Sequence, residues 1–187
     1  MSQSTVIISS IIAIAVISIF LYNQIIALKQ KRLQSFSDID IQLKLRYDLI
    51  PNLVETVKGY ATHEKGLLES VTNARAAAMN SKDIGQRAQN ENMLGMAVTN
   101  LLAVAENYPN LKASENFQQL QRELSDIENK VAAARRFFNN ATAEFNTAIQ
   151  QFPAVLIARI FRFHSEVFFE VSEAEKQKLE QPVPVKF

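Results

Sequence analysis

The chain contains no cysteine, which removes disulfides and thiolate metal sites and leaves the redox compartment open. Glycine occurs 4 times and proline 5 times in 187 residues. None of the glycines forms a GxxxxGK or GxGxxG run, so the loops that cradle phosphates are excluded. Charge of either sign is nearly cancelled, with 20 basic against 19 acidic residues and a net charge of +1. That balance argues against a nucleic-acid binder. The residues that remain, rich in Ala, Gln, Glu and Leu with few breakers, are those of long helices. Beyond an N-terminal apolar segment, about 155 residues are left, enough for one domain that buries roughly 70% of its unfolded surface.

Long apolar runs are confined to one place. From Ser2 to Leu28 no side chain is charged at neutral pH, and Val6–Leu21 holds eleven Ile, Val, Leu or Phe residues diluted by Ala and three Ser. Each large apolar residue near a bilayer centre favours insertion by roughly 0.3–0.6 kcal/mol, so the sum favours spanning despite the serines. As helix the uncharged run is about 40 Å long, against a hydrocarbon core of about 30 Å. A cleaved signal peptide would need a basic stretch in front and a small-residue cleavage site behind. Met1–Thr5 has no Lys or Arg, and Leu21–Ile26 offers no A-x-A pattern. A retained single-pass anchor over residues 1–28 is therefore expected. Lys29, Lys31 and Arg32 follow it and no Lys or Arg precedes it, which predicts an outside N-terminus and a cytoplasmic remainder.

Helical periodicity marks the rest. Between Ser114 and Phe152, apolar residues at Phe117, Leu120, Leu124, Ile127, Val131, Ala134, Phe138, Ala141, Phe145, Ala148 and Phe152 alternate in steps of three and four. That is the a/d seam of left-handed helix packing. Ser114 is a candidate N-cap and Pro153 a stop. Similar seams run through Leu94, Val98, Leu101 and Ala105, through Val54, Val57, Ala61, Leu68, Val71 and Ala78, and through Leu33, Phe36, Ile39, Leu43 and Tyr47. The polar link Asn80–Asp83 offers Ser81 or Asp83 as a cap. The pattern predicts helices over 29–48, 51–79, 83–107 and 114–152, forming an all-α domain over 29–152: a long up-and-down antiparallel four-helix bundle behind the transmembrane helix. At Pro51 the chain can turn in a hairpin with Asp48 as cap, or pass through as a kinked continuous helix whose stripe keeps its phase. Matched helix lengths favour the hairpin. The segment 153–171 is amphipathic and aromatic, and reads equally as an interfacial helix on the membrane or a plug for the bundle's end. Residues 172–187 read as a flexible charged tail.

Particular stretches go further than periodicity. Tyr22-Asn23, Ile39-Asp40, the run Arg46–Val54 (RYDLIPNLV), Val57–Tyr60, His63-Glu64, Ala74-Arg75, Glu91-Asn92, Tyr108–Ala113, Asn116-Phe117, Glu128–Lys130, Arg135–Asn139 (RRFFN), Asn146 and Phe152-Pro153 together resemble the LemA family. The likeness covers about residues 20 to 170. Phe36 stands where the family often has Trp, and Phe138 where it usually has Tyr, so no role for a phenol at 138 carries over. The resemblance implies a bacterial, membrane-anchored four-helix domain in the cytoplasm with no established catalysis. Family relatives in magnetosome membranes, and genomic neighbours that include a membrane metalloprotease, imply membrane organisation.

The residues able to carry chemistry offer little of it. His63-Glu64 lacks the second histidine of a His-Glu-x-x-His zinc motif, because Leu67 stands where that histidine would be, and the other histidine, His164, is far away. No catalytic, cofactor or metal-binding residue is expected. Asp40, Arg46, Asp48, His63, Glu64, Arg75, Glu91, Glu128 and Arg135 fall on or beside the seams as a candidate polar network. Its plainer reading is structural ion pairing, and its sharper one a pocket for a small ligand or lipid headgroup. Lys29, Lys31, Arg32, Arg159 and Arg162 are candidate membrane-surface contacts. The expected function is a non-enzymatic membrane scaffold or interaction protein at the bacterial inner membrane that self-associates and organises membrane proteins or membrane shape; the alternative is a membrane-bound sensor or regulator that binds a small ligand or lipid headgroup in a polar pocket of the bundle. Its expected partners are the lipid bilayer, copies of itself (a homo-oligomer) and other membrane proteins such as a membrane metalloprotease, with no nucleic acid.

Overall fold

A computed structural model describes residues 3–61 and 63–169 of the chain. The predicted tail over 172–187 and the last residues of the 153–171 segment lie outside the described residues. The protein is all-helical, with no strand among the described residues. In order come α1 (Gln3–Lys58), α2 (Lys65–Met79), α3 (Ile84–Ala105), the single turn α4 (Pro109–Lys112), α5 (Glu115–Ala148) and α6 (Ala154–Ile160). The chain divides into two compact units. The first joins Met1–Ile39 with Ala134–Val167, and the second is built around Asp40–Ala133.

In the first unit, the N-terminal part of α1 is apolar on every side and exposed on every side. Ile7, Ile8, Val16 and Ile17, which lie about a quarter-turn apart around the helix, are 60%, 58%, 60% and 53% accessible. A helix apolar all round must be covered by protein or by lipid, and none of its most apolar window is buried within the chain. Three of its serines are already satisfied. The Ser9 and Ser10 hydroxyls donate to Val6 O and the Ser18 hydroxyl to Ile14 O, at 2.8–2.9 Å. Hydroxyls bonded back to their own helix add little polar surface to a hydrocarbon environment.

Below that stretch the helix acquires company. Ile25, Phe145, Ile149, Ile157 and Ala158 form a buried cluster, with Leu21, Tyr22, Leu28, Ala154 and Phe163 packed against it. Helix α6 ends in a Schellman turn: Phe163 N–H donates to Ala158 O at 2.9 Å and Arg162 N–H to Arg159 O at 3.3 Å. Arg162 takes the left-handed residue, φ 56°, in the position that glycine usually holds. The seam expected to continue to Phe152 stops earlier. Helix α5 ends at Ala148 and Phe152 is 81% exposed.

In the second unit, α2 and α3 pack along one another as a short-linked helical hairpin. Of the two candidate caps it is Asp83 that serves, accepting from Gln86 N–H at 2.8 Å. The Asn90 amide ties the link down by donating to Ala77 O and Ser81 Oγ. Leu43, Ile50, Leu53 and Val57 of α1, Leu94, Val98 and Leu101 of α3, and Phe117, Leu124, Ile127 and Val131 of α5 are buried.

The expected hairpin at Pro51 is corrected. Helix α1 runs through Pro51 to Lys58, and the chain turns instead from Gly59, where Tyr60 and Ala61 N–H groups close on Val57 O. Proline in a helix interior removes the bond to the carbonyl four residues back, here Tyr47 O. That carbonyl is not orphaned, because Arg75 of α2 reaches across and donates Nε–H to Tyr47 O at 2.8 Å. A side chain from a neighbouring helix thus replaces the missing backbone donor. Asp48, instead of capping a new helix, is exposed mid-helix.

This substitution of donors is testable by a double-mutant cycle. Arg75→Met should cost about 1–3 kcal/mol in the parent, because it strands a carbonyl. In the Pro51→Ala background, where the backbone at position 51 regains an N–H that can serve Tyr47 O, it should cost markedly less. Denaturant unfolding of the four proteins measures the coupling. Strict additivity would show that Arg75 acts elsewhere.

Candidate functional site

The chemically richest place in the described residues is a buried ionic cluster in the second unit. Arg46 sits on the inward stripe of α1, beside Leu43 and Ile50, and only 2% of it is accessible. Its guanidinium meets carboxylates from two other helices. Glu91 of α3, 1% accessible, pairs with Nη2, while Glu128 of α5 receives Nη1 with both oxygens at 2.9 and 3.1 Å. The Tyr47 hydroxyl donates to the other oxygen of Glu91, so both carboxylate oxygens are taken. Asp40 and Arg87 add an ion pair at 2.7 Å. With Arg75 on Tyr47 O, three guanidiniums (Arg46, Arg75, Arg87) stand against three carboxylates (Asp40, Glu91, Glu128), and the formal charge closes at zero.

The environment works on the titrating groups in opposite directions. Burial pushes the Tyr47 phenol up and Asp40 adds to that, while Arg87 and Arg46 pull it back. The net rise keeps the phenol protonated and donating. Burial also raises the Asp40 carboxyl, with Arg87 offsetting part of the effect. At the edge of the same unit Tyr108 OH donates to Glu64 Oε1 at 3.2 Å. The Tyr108 phenol is raised by desolvation first and then by that carboxylate.

A second cluster lies in the first unit around Arg32, which is 5% accessible. Nε donates to Thr142 Oγ1 and Nη2 to Val167 O, both at 3.1 Å, and Nη1 lies 3.2 Å from Glu166. The guanidinium stacks over the Phe138 ring with 4.8 Å to its centroid. Burial lowers its pKa and Glu166 restores part of it. The Asn146 side chain pins the same segment by bonding both the N–H and the C=O of Glu166.

Residues 35–187 match the family model described as the LemA family. The chain belongs to the LemA family. It is similar to "Magnetosome protein MamQ" of Magnetospirillum gryphiswaldense, 21% identical over 191 residues that cover 88% of this chain and 70% of the relative. It is also similar to "Protein LemA" of Metamycoplasma hominis, 26% identical over 153 residues, covering 79% of this chain and 68% of the relative. A membrane-associated protein is the functional class these relatives and the apolar helix support together.

Within this LemA-family chain, the residues proposed as a polar network do not form one site. Asp40, Arg46, Arg75, Glu91 and Glu128 belong to the cluster. Glu64 is held apart by Tyr108, His63 and Asp48 are exposed, and Arg135 belongs to the first unit. Among the described residues no three His, Asp or Glu side chains converge as a metal site would require. Of the basic residues proposed for the membrane surface, Arg32 is buried in its own cluster. Lys31 pairs with Glu144 at 2.6 Å, Lys29 lies 5.9 Å from the Phe163 ring, and Arg159 and Arg162 are exposed. Sequence reasoning passed over Tyr47, Arg87, Thr142 and Glu166. Arg87 had a signal, since it lies one helical turn before Glu91 on the same face. Glu166 had none, because a segment without regular structure carries it to Arg32.

As chemistry, the cluster offers carboxylates already claimed by guanidiniums, which suits a lock between helices. Removing one partner should therefore expose the cost of the other. Arg46→Met, which leaves Glu91 buried without its cation, should destabilise the fold by about 3–5 kcal/mol. The double change Arg46→Met with Glu91→Leu should recover most of it, and Glu128→Ala should cost only about 1 kcal/mol, because that carboxylate is half-exposed. Urea unfolding of the detergent-solubilised protein separates these, and an unchanged midpoint for Arg46→Met would refute the lock. Asp40 gives a pH test. Its folded pKa is raised, so the folded chain holds the proton more tightly than the unfolded chain. Relative to Asp40→Asn, wild type should therefore gain stability as pH falls through the raised folded value towards the ordinary aspartate value, read as the difference in Tm.

Proposed function

We propose that this LemA-family protein is a non-enzymatic scaffold held at the bacterial inner membrane. The apolar stretch of α1 anchors it, and the helical units offer fixed surfaces to further copies of the chain and to other membrane proteins. The observation that carries this reading is the state of the interior charges. Apart from Arg46 Nε, which has no hydrogen-bond partner, Arg46, Glu91, Tyr47 and Arg75 are paired with one another, with Glu128 or with main chain, and Arg46 and Glu91 are almost wholly inaccessible. An acid, base or nucleophile must reach a substrate to work, and a ligand sensor needs polar groups facing an open space. A closed, charge-neutral lock supports neither as well as it supports rigidity. Neither relative's name states an enzymatic activity.

Orientation follows from the positive charges that come directly after the span. Lys29, Lys31 and Arg32 favour a cytoplasmic location for the helical units and an N-terminus outside. The burial of Arg32 does not weaken this, since the rule acts on the chain as it inserts.

The mass of the full-length protein in mild detergent, by light scattering on a sizing column beside a version beginning near Lys29, tests the scaffold. A discrete assembly at a whole multiple of the chain's own mass, diminished without the anchor, is the expected result. A single chain in both forms would overturn self-association and favour a regulator that binds a small ligand or a lipid headgroup.

A further inference from the structure

Helix α6 has two unlike faces. One closes the first unit, with Ile157 and Ala158 buried against Ile25 and Phe145. The other points away from the chain and is just as apolar: with the preceding Phe152, Leu156 and Ile160 are exposed, the three being 81%, 51% and 71% accessible. Single exposed apolar residues are ordinary, but a contiguous set on one face marks a surface made to be covered.

The position of α6 along α1 says what covers it. The large apolar residues from Val6 to Phe20 are exposed on all sides, as lipid-facing residues of an isolated span would be, and cover begins with Leu21, Tyr22 and Ile25. The cover is α6 and its C-terminal turn, whose Phe161 ring lies 4.6 Å from that of Tyr22. A hydrocarbon core of about 30 Å takes about 20 residues of helix. Counted from Val6, it ends near Ile25. Helix α6 therefore sits where hydrocarbon gives way to headgroups, the level at which tyrosine rings collect. The uncovered face of α6 continues the lipid-facing surface of the span. Its two basic residues, Arg159 and Arg162, are both exposed. Arg162 also occupies the left-handed turn position, which costs any residue with a Cβ and costs glycine nothing. Unfavourable backbone at a charged, exposed side chain suggests that the side chain has a use.

We propose that α6 is an interfacial foot, lying in the plane of the bilayer at the base of the span. Phe152, Leu156 and Ile160 enter the boundary between acyl chains and headgroups, and Arg159 and Arg162 hold anionic lipid headgroups. The foot rests on α1 being the anchor, and the test separates the two.

The chain has no tryptophan, so one introduced residue reports without background. Full-length Leu156→Trp and Ile160→Trp are reconstituted into phosphatidylcholine–phosphatidylglycerol vesicles whose acyl chains carry bromine at a shallow or a deep position. Ile12→Trp marks the span, and Met96→Trp marks an exposed site on the second unit. Deep bromine should quench Ile12→Trp. Shallow bromine should quench Leu156→Trp and Ile160→Trp several-fold more than Met96→Trp. If Ile12→Trp is quenched while the two α6 positions behave like Met96→Trp, the foot is wrong and the anchor stands. If Ile12→Trp is not quenched, both fall. Blue-shifted but unquenched emission at α6 would mean protein cover, such as a second copy, and would also overturn the foot. Adding Arg159→Gln and Arg162→Gln to Leu156→Trp should remove most of the shallow quenching that depends on phosphatidylglycerol. Added to the same reporter, Arg162→Gly should raise Tm through the relieved turn yet reduce that quenching; a change in Tm alone would refute the headgroup contact.

Discussion

A guanidinium that has left water must be given anions, and Arg46 takes them from two other helices. Glu91 of α3 and Glu128 of α5 converge on a side chain of α1 that is 2% accessible. Apolar seams alone let helices slide past one another by a turn at modest cost, since one leucine resembles the next. A buried charge does not, because any other register leaves it unpaired in a poorly polarisable interior. The rest of the second unit is arranged around this condition. Tyr47 completes Glu91, Asp40 pairs with Arg87, and the three cations and three anions cancel.

Arg75 shows how closely charge and backbone are linked here. Pro51 would ordinarily break α1, and the carbonyl it abandons belongs to Tyr47, the same residue whose hydroxyl holds Glu91. One arginine from α2 supplies the missing donor and brings a third positive charge to the cluster. The helix thus passes through its proline with the freed carbonyl satisfied, and the chain turns only from Gly59.

The first unit solves a different problem. Its helix leaves an environment in which every face is apolar and enters one that must be packed. The transition is made by Ile25, Phe145, Ile157 and Ala158, with Arg32 stacked on Phe138 just beyond them. Arg32 also holds the segment that follows α6, through Val167 O and Glu166. The basic residues after the span are therefore not equivalent: one is a structural clamp, and others remain available at the surface.

Periodicity was enough to read helices throughout, because a seam such as Phe117, Leu124, Ile127, Val131 and Phe138 has only one conformation that buries it on one side. The uncharged run before Lys29 needed nothing more than its length and composition to be read as a candidate anchor. Both are local properties of the chain. Three things were not local. The path through Pro51 depended on a donor from a residue far along the chain, so the local preference for a break was overruled. The makeup of the ionic cluster depended on which seam residues meet: Tyr47 and Arg87 joined it, while His63 and Asp48 stayed outside. The burial of Arg32 required Glu166 and Val167 to return to it from beyond α6. What the sequence by itself determined was which residues had to leave water, since transfer free energy belongs to each side chain. What only the tertiary structure decided was which partners they would find there, since ion pairs and replacement hydrogen bonds exist only once distant segments are held within about 3 Å of each other.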